Sequence, residues 1–285
     1  MYLKRYIVFL VAFTCSMTAH AYKGELSAQL SRVEFENNDR HIKTRLNFTH
    51  YMSSTEDAAD FYDEYEFIHR IASLTFFAEH FDYDGRINRD RDYNLGGVEV
   101  AILNKSSNFT FRTGVTTYEQ EVNLIDDVHY EKEFKHYWFE PGFYVKERMH
   151  LSLILDYHEV DALNVKAEEL SLGLAAKALY KSFNLEGRVL KVEYDMAPNR
   201  KENNYLYAAA VDYYLQRDWR LGVVLSLNDG QVKHDNYHGQ ALHTQYYFTD
   251  TLSASIKLTQ MSYRHNDDFD HKGVDIQFSY RISAD

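Results

Sequence analysis

The chain has 285 residues with 31 Lys and Arg against 43 Asp and Glu, a formal net charge of −12. That balance argues against a nucleic-acid partner, because phosphate binding needs a basic surface. A hydrophobic share of 45% coexists with a mean hydropathy of −0.51, so apolar residues must be interleaved with polar ones rather than collected into membrane-spanning helices.

Residues 1–21, "MYLKRYIVFLVAFTCSMTAHA", place Lys4 and Arg5 before an apolar run from Tyr6 to Phe13 and close on Ala19-His20-Ala21. This is the layout of a secretory signal peptide with an A-x-A-like cleavage site. The apolar run is shorter than the roughly 20 residues a spanning helix needs. Removal of the signal is expected to leave a single domain over 22–285. The one cysteine, Cys15, lies inside the signal, and Ala12, Phe13 and Thr14 before it do not form a lipoprotein pattern. The mature chain is therefore expected to have neither a disulfide nor a thiolate metal site.

Beyond the signal, the dominant pattern is alternation with a period of two, which puts every second side chain on one face of a strand. In chain order the alternating segments fall near 24–36, 40–52, 66–81, 93–103, 108–118, 134–146 and 150–158. They continue near 167–179, 183–195, 204–216, 219–228, 239–248, 251–262 and 272–282. Leu151, Leu153, Leu155 and Tyr157 illustrate the apolar face, as do Leu221, Val223, Leu225 and Leu227. Many segments run 10 to 13 residues. Strands of soluble domains are usually about 5 or 6 long, whereas a tilted strand crossing a membrane needs about 9 to 11.

The connections carry a second rhythm. Those after the fourth, sixth, eighth, tenth and twelfth segments are tight ("NKSS", "ERM", "YKS", "RD", "TDT"). Most odd-numbered ones are longer and polar, such as "YEQEVNLIDDVHYEKE" and "NDGQVKHDNYH". The acidic connection "SSTEDAADFYDEY" after the second segment breaks this rhythm. Short turns on one side and longer loops on the other are how outer-membrane barrels are built. The predicted fold class is therefore all-β: a transmembrane antiparallel up-and-down β-barrel of about 14 strands, with 12 the nearest alternative.

If the apolar face meets lipid, the opposite face carries charges of both signs. The candidate pore-lining residues are Lys43, Arg45, Arg112, Glu140, Lys146, Asp156, Arg188 and Arg220, each acting as a fixed charge. Gly114, Gly142, Gly173 and Gly222 share that face and are expected to leave room inside. Tyr118, Tyr130, Tyr194, Tyr205, Trp219, Tyr246, Phe248 and Tyr280 stand near strand ends, where interfacial aromatic girdles form. The last segment, "KGVDIQFSYRI", is the kind of C-terminal signal that barrel-assembly machinery reads, although the tail Ser283-Ala284-Asp285 follows it.

With the signal, the opening "AYKGELSAQLSRVEF" and the segment "EYEFIHRIAS" after the acidic connection, the chain resembles the general porin family of Gram-negative outer membranes. The match is one of architecture rather than of a diagnostic motif. What the resemblance implies is a diffusion channel without catalytic residues.

Other chemistry has specific candidates. "FDYDGRINRDRD" at 81–92 has the look of a calcium loop, but aligning Gly85 with the invariant glycine puts His80 at the first ligand and Arg91 at the last. It reads as a polar turn. His234, His238, His265 and His271 stand among acids in two loops and are expected to be solvated. "RMHLSLILDYH" puts His150 and Ser152 on one strand face with Asp156 and His158, as an outer-membrane hydrolase would require, yet the leucines of the other face leave that set away from lipid. The function expected is thus passive diffusion of small hydrophilic solutes or ions, with a barrel hydrolase and a closed structural or adhesive barrel as alternatives. No metal or cofactor is expected. The expected partners are outer-membrane lipid and lipopolysaccharide, the assembly machinery and the permeating solutes; both a monomer and a homo-oligomer fit the sequence. The expected location is the bacterial outer membrane.

Overall fold

A computed structural model describes residues 24–37, 39–52, 71–84, 91–103, 107–123, 129–162, 165–197, 200–233, 236–249, 251–265 and 269–282. The signal segment 1–21, the acidic connection 53–65 and the C-terminal tail lie outside the described residues. Fourteen strands form the described chain: β1 (Gly24–Phe35), β2 (Arg40–Tyr51), β3 (Ser73–Asp84), β4 (Arg91–Leu103), β5 (Phe109–Asn123), β6 (His129–Lys146) and β7 (Met149–Ala162). They continue as β8 (Val165–Tyr180), β9 (Phe183–Ala197), β10 (Arg200–Gln216), β11 (Trp219–Gly230), β12 (Tyr237–Tyr247), β13 (Leu252–Tyr263) and β14 (His271–Ile282). Each pairs antiparallel with its chain neighbours, and β1 pairs with β14 to close the barrel. Closure removes the edges that an open sheet would leave unpaired in lipid.

The period-two pattern explains which side is which. Leu170, Leu172 and Leu174 on β8 are 50 to 66% exposed, while the intervening Ser171 is buried. The same inversion recurs on β14, where Ile276, Phe278 and Tyr280 are exposed and Ser279 is buried. In a soluble protein such an apolar exterior would be a liability; here it is the surface that meets hydrocarbon chains. Trp219, Tyr205, Tyr246, Phe248 and Tyr280 stand on this outer face and are exposed, as a girdle requires.

Two sequence expectations shift. The third strand starts at Ser73 rather than near 66, because Ile71 is buried against Tyr51 and Ala72 closes the connection by accepting a backbone hydrogen bond from Met52 at 2.8 Å. Much of the expected loop length is also strand. β5 to β10 run 14 to 18 residues, beyond the roughly 9 to 11 that cross the bilayer. The ladder continues because antiparallel pairing needs no lipid, and polar cross-strand partners such as Lys201 and Glu193, 2.7 Å apart, replace apolar ones.

The extension is one-sided. β4 pairs with β5 only as far as Gln120, whereas the β5–β6 ladder climbs on to Asn123 and His129. Likewise β11 meets β10 only from Asn204, while β10 continues up to Arg200 against β9. The wall from β5 to β10 therefore stands higher at the long-loop end than the wall from β11 round to β4. At the opposite end the turns are tight: Lys181 and Ser182 join β8 to β9, with Lys181 at a φ of 53°. A positive φ at the first central position is what a type II′ hairpin demands.

Candidate functional site

The inner face is polar and arranged in local clusters that the strand register brings together. Glu79 on β3 is ion-paired with two cations of β2, Lys43 at 3.5 Å and Arg45 at 3.6 Å. Both also lie over rings of β3, Lys43 over Phe81 and Arg45 over Phe77. Arg112 on β5 donates to Glu99 on β4 at 2.8 Å. Its register partner Glu140 on β6 accepts instead from Ser152 on β7 at 2.5 Å.

A larger cluster spans β8 to β12. Lys177 meets Glu186 at 2.8 Å, Asn184 donates to both Glu186 and Asp212, and Asp212 is approached by His243 at 2.7 Å and Arg220 at 3.4 Å. Asp212 is only 4% exposed, so this convergence of donors is what makes its burial tolerable. Arg188 on β9 differs: it is exposed on the inner face between Ala175 and Ala208 and has neither an ion pair nor a hydrogen bond among the described residues. On β6 and β7, His136 and His158 flank Asp156 at 3.0 and 2.8 Å.

Of the eight residues expected to line the lumen, Lys43, Arg45, Arg112, Glu140, Asp156, Arg188 and Arg220 project inward by register. Lys146 departs from the expectation. A bulge between Tyr144 and Lys146 shifts the alternation, and Lys146 pairs with Met149 of the outer-facing set. The bulge leaves no trace in a period-two reading, which is why the sequence misplaces it.

The inner glycines are also corrected. They do not leave voids; each lets a neighbour lie flat across the wall. A Cβ on Gly114 would sit 2.0 Å from Trp138, one on Gly142 2.6 Å from His150, one on Gly173 2.5 Å from Leu190, and one on Gly222 2.0 Å from Asp212. Two aromatics assigned to the girdle face inward instead. Tyr118 stacks on Phe134 at 3.9 Å and tilts against Tyr93 at 5.2 Å, and Tyr93 stacks on Phe81 at 4.1 Å. The four rings form a ladder across β3 to β6 on the inner wall. Tyr194 on β9 shares the inner parity of buried Val192 and Leu190, and the side chain of Tyr130 lies outside the described residues.

The remaining motifs resolve by placement. His80 and Asp82 of the calcium-like stretch are rungs of β3, paired with Thr44 and Ile42, so the first half of that stretch is extended strand and not an EF-hand loop; residues 85–90 lie outside the described set. His238 and His271 are strand residues on β12 and β14 rather than loop residues, and His234 is outside the described set. Ser152 is buried and spends its hydroxyl on Glu140, while His150 Nε2 is engaged by Thr110 Oγ1 at 2.7 Å. That arrangement is not the nucleophile and base pair a hydrolase needs.

No family model matches this sequence, and no curated protein is similar to it. Solved structures do match. The outer membrane protein Omp33 of Acinetobacter baumannii superposes with a TM-score of 0.55 over 92% of this chain and 99% of its own, at 12% identity. The chain has the fold of outer-membrane channels. The CymD monoaromatic hydrocarbon channel gives a TM-score of 0.60 at 9% identity, covering 97% of this chain and 92% of that one. An anion-selective porin from Comamonas acidovorans gives 0.52 at 9% identity, covering 92% and 98%. At such identities the likeness is one of fold.

Proposed function

We propose that this chain is a bacterial outer-membrane channel through which small hydrophilic solutes or ions diffuse passively. The observation that carries the reading is the sorting of its two faces: apolar side chains outside, and inside a wall of fixed charges of both signs that includes exposed Arg188, which has no ion pair among the described residues. Fourteen strands enclose more space than the eight whose interior side chains can fill, and charges that face water need no burial cost offset. The charged wall favours hydrophilic solutes over the hydrocarbons for which CymD is named. In this reading residues 1–21 direct export, the barrel-assembly machinery inserts the chain, lipid and lipopolysaccharide meet its outer face, and no catalysis is involved.

The test is single-channel conductance of the refolded full chain in a planar bilayer, with the reversal potential taken across a salt gradient. Steady ohmic steps support the channel. Protein shown to be folded and inserted that passes no current would overturn it.

A further inference from the structure

One inner-wall cluster has an arrangement that fixed-charge permeation does not require. His136 on β6 and His158 on β7 are register partners whose imidazoles stack with centroids 3.9 Å apart and planes 8° from parallel. Both turn Nε2 toward the same carboxylate: His136 Nε2 lies 3.0 Å from Asp156 Oδ2, and His158 Nε2 lies 2.8 Å from Asp156 Oδ1. The three ligand atoms all lie within 4.8 Å of one another. That is a donor set of two imidazole nitrogens and one carboxylate.

We propose that His136, Asp156 and His158 bind a divalent transition-metal ion such as Zn²⁺ or Cu²⁺ on the inner wall, in the long-loop half of the barrel. Metal bonds of about 2.0–2.1 Å at a tetrahedral centre put neighbouring ligand atoms about 3.3 Å apart, close to the two nitrogen-to-oxygen spacings already present. A small side-chain rotation brings the third pair into range. Although these atoms are at ion-pair distance, His136 Nε2 and Asp156 Oδ1 are buried and complete no hydrogen bond of acceptable geometry. An ion placed between the three side chains satisfies both. Imidazole selects zinc, copper or nickel over calcium and magnesium, which prefer oxygen. Three protein ligands leave one tetrahedral position, which here faces the lumen and can hold water or an anion. Asp156 also stands opposite Trp138 in the ladder, and Trp138 lies 5.0 Å from the His136 ring.

That tryptophan supplies a test that does not depend on conduction. The chain has two tryptophans, and the other, Trp219, is on the outer face. In refolded full-length Trp219→Phe protein, Cu²⁺ titration should quench Trp138 fluorescence saturably, and EDTA should restore it. Zn²⁺ should compete with the quenching and Mg²⁺ should not. Calorimetry with Zn²⁺ should give one site per chain.

His158→Gln and His136→Ala in the same background should each weaken binding by at least the roughly 10- to 100-fold that loss of even an outer-shell partner costs. His150→Ala, which alters an inner histidine outside the cluster, should not weaken it. Heat-modifiable migration of each variant checks folding. Quenching that is linear in Cu²⁺, or that is unchanged in both cluster variants, would overturn the proposal and leave an ion-paired stack. Silence in the bilayer with metal binding intact would sink the channel reading alone.

Discussion

Arg281 on the last strand donates from Nε to Glu25 on the first at 3.2 Å, a contact between residues 256 positions apart in the chain. The two are register partners across the closing seam. Tyr51 also donates to Glu25, at 3.3 Å, and Arg281 reaches the Tyr247 hydroxyl at 3.2 Å while lying over its ring. A pair of side chains from the first and last strands thus ties the one ladder among the described strands whose partners are not consecutive.

Arg281→Ala removes its own bonds to Glu25 and Tyr247 and leaves Glu25, only about a fifth exposed, without this cation. Loss of a charged hydrogen-bond partner at such a site costs about 1–3 kcal/mol. The expected result is a lower midpoint in denaturant unfolding followed by heat-modifiable migration. Lys201→Ala, which breaks an exposed pair with Glu193, should leave that midpoint where it is, as exposed pairs generally do.

Asp212 offers a sharper case. Asp212→Asn keeps the shape but removes the charge on which His243 and Arg220 converge. Breaking a buried pair by altering one partner costs about 3–5 kcal/mol. Asp212→Asn should therefore be the more destabilising of the two inner-wall changes.

Gly114 and Gly96 should respond in opposite ways to alanine. The new Cβ at 114 would fall 2.0 Å from the Trp138 ring, whereas at 96 the nearest atom is 3.8 Å away. Overpacking at 114 is expected to cost about 1–3 kcal/mol and to shift the emission of Trp138. Gly96→Ala should change neither emission nor stability measurably.

Charge reversal separates the inner-wall cations by their surroundings. Arg188→Glu meets no ion-pairing acid among the described residues and should move the reversal potential toward cation preference without loss of folded protein. Arg45→Glu and Arg112→Glu together place new acids beside Glu79 and Glu99. The pair should shift selectivity the same way, with a lower unfolding midpoint. Unchanged ion preference in conducting Arg188→Glu and in the conducting double variant would remove these residues from the ion path.

Alternation made the strand count, the antiparallel order and the outward leucines readable, because one face of every strand meets hydrocarbon and the other does not. It failed where a side chain's direction depends on something nonlocal. The bulge that turns Lys146 outward is set by the partner strand, whereas Tyr118 has the parity of Arg112 and Gly114 on β5, so alternation already puts it inside and only its place near the strand end suggested the girdle. The glycines misled for the same reason: Gly114 reads as space until Trp138, from the next strand, is seen to fill it. The His136 and His158 pair was not legible either: β7 alone puts Asp156 and His158 on one face, but a hairpin separates them from His136, and only the register brings it alongside.

The uneven wall height has a consequence for approach. A strand gains about 3.4 Å per residue, so the few extra rungs on β5 to β10 raise that side of the rim by a distance comparable to the width of a hydrated solute. Among the described residues the rim is then cut obliquely, with its low sill along β11 to β4. In the proposed channel, a solute arriving over that sill would meet the tall wall as a backstop, so the two halves of the rim would serve as doorway and screen.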